Sequence, residues 1–211
     1  MSPRIILPNR KERMYEFSAT VLAEKTAERA KLIYSSYQEN QVTITKEYLT
    51  KYSQVFTDVI EKQQAGLKQP IQWICTSYLR SSIIAGKPKL HIGLYDEQYL
   101  LDETAINDYW PVEFLQDGLQ EDVAYLAKKL KGEFVRVMDY EIKAIANYYM
   151  QQQIFIIAQE ICTELLPKLL QEPSYLEMVK KTPVHFTYGE YMALRQVIYS
   201  QGDETNGILS A

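Results

Sequence analysis

A helical hydrophobic pattern over residues 119–171 constrains the fold more than any other feature of the sequence. Its apolar positions recur at alternating steps of three and four residues, which places them on one face of a helix. These positions include Val135, Met138, Ile142, Ile145 and Tyr149. An unbroken helix from 133 to 166 would be about 50 Å long at about 1.5 Å per residue, longer than a small domain is wide. We therefore expect a bend or break at Gly132 or Pro167, or packing against a partner subunit.

Helices are also predicted in the N-terminal third. Glycine and proline, which most often interrupt helices, number only eight each in 211 residues. Amphipathic spacing predicts two helices over 13–38 and 46–65. A third is predicted over 70–85, because Pro70 suits the first helical position and Gly86 suits the position after the last one.

Two capping boxes predict helices near the C-terminus. In a capping box, a Ser or Thr before the helix and a Glu three residues later satisfy each other's backbone N–H groups. Ser174 and Glu177 fit this pattern and predict a short helix. Thr187 and Glu190 fit it as well and predict a helix over about 188–200.

A strand is predicted at one place. Residues 90–95 alternate between apolar and small or polar side chains, and a lone strand of this kind needs a partner. The other extended candidates, one of which could pair with it, are Gln41–Ile44, Pro3–Leu7 and Val184–Phe186; otherwise the segment is an extended loop. We predict an all-α protein of six to eight helices, with at most a minor β element near residues 90–95. The expected organisation is an N-terminal arm over 1–12, a single helical domain over 13–200 and a flexible tail over 201–211.

The sequence favours a soluble, cytoplasmic protein. The apolar run near the N-terminus covers only Ile5–Leu7, far short of a signal-peptide core. No apolar segment approaches the roughly 20 residues that span a bilayer, so no membrane association is expected. Cys75 and Cys162 lie in apolar helical patterns, so we expect two buried thiols rather than a disulfide or a metal pair.

Charge is distributed unevenly, although the net charge is only −4. Residues 62–95, the basic block, contain no acid, and residues 96–122, the acidic block, contain no base. Residues 1–90 carry a net charge of +6 and residues 91–211 a net charge of −10. One interpretation is that these blocks are neutralised within the chain. The other is that the acidic block docks a basic partner.

Aromatic residues between the acids favour the docking interpretation, because protein interfaces combine aromatic anchors with a charged rim. A basic protein, or the basic block of a second copy, would be steered to this surface. We therefore expect self-association, most simply as a homodimer, with a basic protein as a further candidate partner. The candidate partner-binding residues are Tyr99, Asp102, Glu103, Tyr109, Trp110 and Phe114.

Catalytic and metal-binding motifs are missing from the sequence. His91 and His185 are far apart, and no nucleophile elbow or phosphate-binding glycine loop occurs. No catalytic residue, metal or cofactor is therefore predicted. The chain is tyrosine-rich, with 17 tyrosines, and polar and aromatic residues flank the turn at 85–90, which suggests a pocket. The candidate ligand-binding residues are Trp73, Tyr78, Arg80, His91, Tyr95 and Asp96.

Three functional hypotheses follow. The first is a non-enzymatic interaction or regulatory protein that uses the acidic block. The second is a small-molecule-binding helical domain, or an enzyme, whose site assembles around Arg80 and His91. The third is a DNA-binding regulator with a helix-turn-helix over 46–85. The third is disfavoured, because the second helix of that pair would offer only Gln72 and Arg80 to read bases.

Overall fold

The computed structural model describes residues 9–116, 118–193 and 195–202. In this part of the chain, six α-helices accompany a five-stranded mixed sheet. The helices are α1 Arg10–Glu39, α2 Gln41–Gln64, α3 Arg80–Ile84, α4 Leu119–Glu133, α5 Asp139–Leu169 and α6 Pro173–Glu177. The strands are β1 Ile71–Tyr78, β2 Lys89–Tyr95, β3 Ile106–Pro111, β4 Lys180–Glu190 and β5 Arg195–Gln201. The all-α prediction is wrong, because the sheet is a main element of the fold.

The two N-terminal helices are confirmed as α1 and α2. Helix α1 starts at Arg10, inside the segment assigned to the arm. The Asn9 side chain accepts the Glu12 N–H and Glu12 in turn accepts the Asn9 N–H, which forms a capping box. The rest of the predicted arm, and positions 203–211 of the predicted tail, lie outside the described residues.

The long helical pattern over 119–171 forms two helices, which agrees with the expected break near Gly132. Helix α4 ends at Glu133, just after Gly132, and α5 starts at Asp139, whereas Pro167 stays within α5. Although α5 has 31 residues, no helix in the described ranges is both long and apolar enough to cross a membrane.

The sheet has the strand order β3-β2-β1-β4-β5, in which β1 and β4 run parallel and the other neighbours antiparallel. The strand predicted near 90–95 is confirmed as β2, and it pairs with β1 and β3. The helix predicted over 70–85 is wrong, because most of that segment forms β1. This change also removes the second helix of the proposed helix-turn-helix.

The helix predicted over 188–200 is wrong as well. Thr187 and Glu190 belong to β4, where Thr187 lies beside Cys75 of β1, and β5 occupies most of the remaining segment. The short helix predicted from Ser174 and Glu177 is confirmed as α6. Pro173, rather than Ser174, opens it.

Helices cover one face of the sheet. Trp110 of β3 packs against Tyr48 of α2, and Tyr188 of β4 packs against Phe155 of α5, with ring centroids 5.2 and 5.3 Å apart. Because side chains alternate along a strand, the intervening residues of β1, β2 and β4 face the other way. That opposite face, the polar face, is lined by side chains of the sheet and of two turns.

Candidate ligand site on the polar face

The polar face has a floor of small and polar side chains. In the sheet register, Cys75 of β1 lies between Gly93 of β2 and Thr187 of β4, and Ser77 lies next to His91. Cys75 and Ser77 are 0% exposed, His91 is 1% exposed and Thr187 is 2% exposed. Hydrogen-bonding groups are therefore concentrated here out of contact with solvent.

Arg195, the first residue of β5, reaches over this floor. Its guanidinium carbon lies 5.9 and 5.7 Å from the ring centroids of Tyr95 and Tyr99, and Nη1 donates a long hydrogen bond of 3.4 Å to Tyr99. Nε and Nη2 are shielded from solvent and have no hydrogen-bond partner among the described residues.

The charge of Arg195 is not neutralised by an acid. No carboxylate in the described part of the chain lies within 4.0 Å of the guanidinium. An arginine stays protonated at any physiological pH. The polar face therefore holds a partly buried cation whose Nε and Nη2 atoms carry unused N–H groups.

Three further polar atoms on this face are shielded and unpartnered: Ser77 Oγ, His91 Nδ1 and Thr187 Oγ1. Buried polar groups in folded proteins almost always have a hydrogen-bond partner. When several on one surface lack one, water or a ligand is the usual means of satisfying them. The polar face therefore offers unused donors and acceptors that water or a bound molecule could satisfy.

Aromatic side chains enclose the floor on two sides. On one side, Trp73 packs between His185 and Tyr99, with ring centroids 4.4 and 4.7 Å apart. On the other side, His91 packs edge-on against Tyr191 at 4.6 Å. Tyr191 is 37% exposed and lies on the turn between β4 and β5, so its ring separates the floor from solvent.

Tyr99 is carried by a turn over residues 96–104, the Tyr99 turn. Its φ of 56° lies in the left-handed region, which tyrosine rarely adopts and which is common at functional sites. The carboxylate of Asp102 fixes this turn by accepting hydrogen bonds from the backbone N–H groups of Asp96 at 2.9 Å and Thr104 at 2.8 Å. Asp102 also pairs with Lys68, whose side chain is fully buried.

Burial favours the neutral forms of three titratable groups on the polar face: His91, Cys75 and Tyr95. Burial lowers the pKa of His91, and the charge of Arg195 lowers it further, against the opposing effect of the hydrogen bond to Asn107. Burial raises the pKa of the Cys75 thiol, although Thr187 and Arg195 oppose this. Burial also raises the pKa of Tyr95 to about 12. Arg195 is the charged group beside them.

Three of the six candidate ligand-binding residues lie on the polar face: Trp73, His91 and Tyr95. The other three lie elsewhere. Tyr78 packs against Phe155 of α5 on the helix-covered side. Arg80 forms an ion pair of 2.7 Å with Glu190 and is exposed. Asp96 is buried in the Tyr99 turn, where its carboxylate accepts the backbone N–H of Gln98.

The six candidate partner-binding residues are also divided. Tyr99 and Tyr109 border the polar face, and Tyr109 is 45% exposed. Glu103 is exposed, and Phe114 packs partly against the core. Trp110 and Asp102 are buried. Neither of these two side chains offers surface to a partner.

The acidic block is paired with bases from several parts of the same chain. The Lys68–Asp102 pair joins it to the basic block. Further pairs are Lys51–Asp108 at 3.2 Å, Arg29–Asp122 at 2.9 Å and Lys181–Glu97. These contacts support neutralisation within one chain more than an open acidic surface.

The sequence does not predict four residues of the site, because it places them in, or at the start of, the helices predicted over 70–85 and 188–200: Cys75, Ser77, Thr187 and Arg195. One signal in the sequence could have identified part of the set. From Val184 to Gly189, apolar residues alternate with His185, Thr187 and Gly189. This alternation is typical of a strand with one buried and one polar face.

Comparison of the chain with protein-family models, with curated proteins and with solved structures finds no match in any of the three. Within the described residues, no three His, Cys, Asp or Glu side chains form a group that could hold a metal ion. The function of the site therefore has to follow from its own chemistry.

Proposed function

We propose that this protein binds a small anionic molecule, one that carries a carboxylate or a phosphate group, on the polar face. The main support is Arg195: its Nε and Nη2 atoms are shielded and unpartnered, and no carboxylate among the described residues lies within 4.0 Å of the guanidinium. Withdrawing a charge from water is costly unless a counter-charge compensates it. A carboxylate or a phosphate can accept hydrogen bonds from the Nε and Nη2 atoms of a guanidinium at once.

The neighbouring side chains fit the same role. The hydroxyls of Ser77 and Thr187 can donate to the remaining oxygens of an anion. Cys75 is a neutral thiol, because burial raises its pKa, and a thiol is a poor nucleophile compared with a thiolate. These properties favour binding over thiol catalysis. A ligand would enter by displacing the partly exposed ring of Tyr191.

Anion binding should raise the thermal stability of the protein. A ligand at about 100 times its Kd adds about 2.7 kcal/mol, which corresponds to a Tm increase of roughly 5–10 °C for a domain of this size. We expect at least one of phosphate, acetate and glycolate to do this in thermal denaturation. Arg195→Met should abolish the increase, because it removes the positive charge that the anion would pair with.

Arg80→Met is the matched control, since Arg80 is an exposed arginine in an ion pair away from the floor. This variant should keep the anion-dependent increase. Arg195→Lys keeps a charge and tests whether loss of binding reflects misfolding of Arg195→Met. A wild-type protein that none of the three anions stabilises would contradict the proposal, as would Arg195→Met that responds like wild type.

Gly93→Ala should disturb the floor without touching Arg195. A β-carbon at Gly93 would lie 2.6 Å from Tyr95 Oη and 2.8 Å from His91 Cε1, closer than atoms normally pack. Both side chains would have to move, which we expect to cost about 1–3 kcal/mol of stability and to weaken anion binding about tenfold.

The control for this substitution is Gly132→Ala. A β-carbon there meets no other atom within 4 Å, and Gly132 lies in α4, where alanine is the better helix former. Chemical denaturation should show no loss of stability for Gly132→Ala and unchanged anion affinity. Equal behaviour of the two variants would show that the floor is not closely packed.

A further inference from the structure

His91 offers an acceptor on the floor of the site. Its Nε2 lies 2.7 Å from Oδ1 of Asn107, and the amide nitrogen of Asn107 donates to the Ala105 carbonyl at 3.4 Å. Since the amide nitrogen donates there, Oδ1 faces the imidazole and accepts a hydrogen bond from the Nε2–H group. The neutral ring then has its lone pair on Nδ1, which is shielded and unpartnered.

His91 and Arg195 lie in one row across the sheet. His91 is beside Ser77 of β1, Ser77 is beside Gly189 of β4, and Gly189 is beside Arg195 of β5. Tyr95 links the two groups: the guanidinium carbon of Arg195 lies 5.9 Å from the Tyr95 ring centroid, and a β-carbon at Gly93 would lie 2.6 Å from Tyr95 Oη and 2.8 Å from His91 Cε1. His91 and the Arg195 guanidinium therefore lie on the same face of the sheet, on either side of Tyr95.

We infer that the ligand carries a hydrogen-bond donor next to its negative charge, as hydrogen phosphate and α-hydroxy carboxylates do. His91 Nδ1 accepts the hydrogen bond from this donor. The inference rests on the proposed anion binding and narrows its ligand class. A fully deprotonated oxyanion would place an oxygen lone pair against that of Nδ1. A ligand with an O–H at this point satisfies His91 and Arg195 together.

Matched pairs of anions test this contact. Phosphate retains a proton at neutral pH and sulfate does not, while glycolate has the hydroxyl that acetate lacks. An unmade hydrogen bond in a shielded site weakens binding about tenfold or more. In calorimetric titrations at pH 7, we expect wild-type protein to prefer phosphate over sulfate, or glycolate over acetate, by about that factor or more.

His91→Phe keeps an aromatic ring against Tyr191 and removes the acceptor. It should abolish the preference for phosphate over sulfate and for glycolate over acetate, while sulfate or acetate still binds. Asn107→Ala keeps the His91 ring but removes the acceptor of its Nε2–H group, so that the proton can lie on either ring nitrogen. This variant should reduce the preference for the anion that carries a hydrogen-bond donor. Asn107 is exposed, so this variant is expected to fold even if His91→Phe does not.

The possible results separate this inference from the proposed function. Equal binding within both pairs by wild-type protein, or a preference that survives in His91→Phe, would overturn the inference while anion binding stands. If none of the four anions binds, the proposed function fails too, and the unpartnered atoms of the polar face are satisfied by water alone.

Discussion

Asp102→Ala should lower the free energy of unfolding by about 3–5 kcal/mol, the usual cost of breaking a buried ion pair from one side. The Lys68 and Asp102 side chains are 0% and 1% exposed. Without the carboxylate, the Lys68 ammonium is left in a shielded position with no counter-charge, and the backbone N–H groups of Asp96 and Thr104 lose their acceptor. Urea denaturation followed by circular dichroism measures the loss.

Glu97→Ala is the matched control, because Glu97 lies in the same turn and pairs with Lys181 at the surface. Their side chains are 61% and 48% exposed, and surface pairs contribute about 0–1 kcal/mol. The double variant Lys68→Met with Asp102→Leu should be more stable than Asp102→Ala, since no uncompensated charge remains. A loss in Asp102→Ala no larger than in Glu97→Ala would contradict the prediction.

The same ion pair makes stability depend on pH. Burial alone would raise the pKa of Asp102, but hydrogen bonds from Lys68, the Asp96 backbone and Thr104 outweigh it, so the folded pKa is lowered. A lowered folded pKa stabilises the protein above the unfolded value of about 3.9 and loses this effect as pH falls through the folded value. Below about pH 4, wild-type protein should therefore lose its advantage over Asp102→Ala.

Removal of the Asp102 carboxylate should also change the position of Tyr99 at the ligand site. The Tyr99 turn is held by this carboxylate, and Tyr99 contacts both Trp73 and Arg195. The left-handed backbone of Tyr99 persists only while its surroundings impose it. In Asp102→Ala, we therefore expect weaker anion binding in addition to lower stability.

Sequence patterns predicted the elements whose hydrophobic periodicity is clear. Helices α1 and α2 each bury one side, and β2 alternates. Strand β1 was predicted as part of a helix, because Pro70 and Gly86 fit the two ends of a helix over 70–85. Its sequence does not alternate clearly between apolar and polar residues, since side chains on both of its faces are buried, Ile74 towards the helices and Cys75 towards the polar face.

Local signals misled the prediction at β4. The spacing of Thr187 and Glu190 fits a capping box, but Thr187 pairs across the sheet with Cys75, which is far away in sequence. Long-range strand pairing thus overrides a local preference worth about 1 kcal/mol. Both cysteines are buried and free, as predicted.

The candidate site could be predicted only in part. Trp73, His91 and Tyr95 were selected because polar and aromatic residues cluster near one turn. Arg195 is far from them in the sequence and meets them through the order of the strands. Its defining property is that no carboxylate among the described residues lies within 4.0 Å of its guanidinium, which depends on the three-dimensional surroundings and cannot be read from the sequence.

Trp110→Ala should destabilise the protein by about 3–5 kcal/mol, the cost of removing a large aromatic side chain from a core. Trp110 is 2% exposed and packs against Tyr48 of α2, with ring centroids 5.2 Å apart. This contact joins helix α2 to β3, as the Lys51–Asp108 ion pair also does at the surface. Urea denaturation gives the size of the effect.

Tyr109→Ala is the control next to it, because successive residues of β3 point to opposite faces of the sheet. Tyr109 is 45% exposed, and its loss should cost at most about 1 kcal/mol.

The two variants also test the docking hypothesis, in which Trp110 and Tyr109 are both anchors for a partner. If either variant changes the molecular mass in solution while the free energy of unfolding stays unchanged, that aromatic ring belongs to an interface between chains. A large loss of stability confined to Trp110→Ala places this residue in the core, where no partner can contact it.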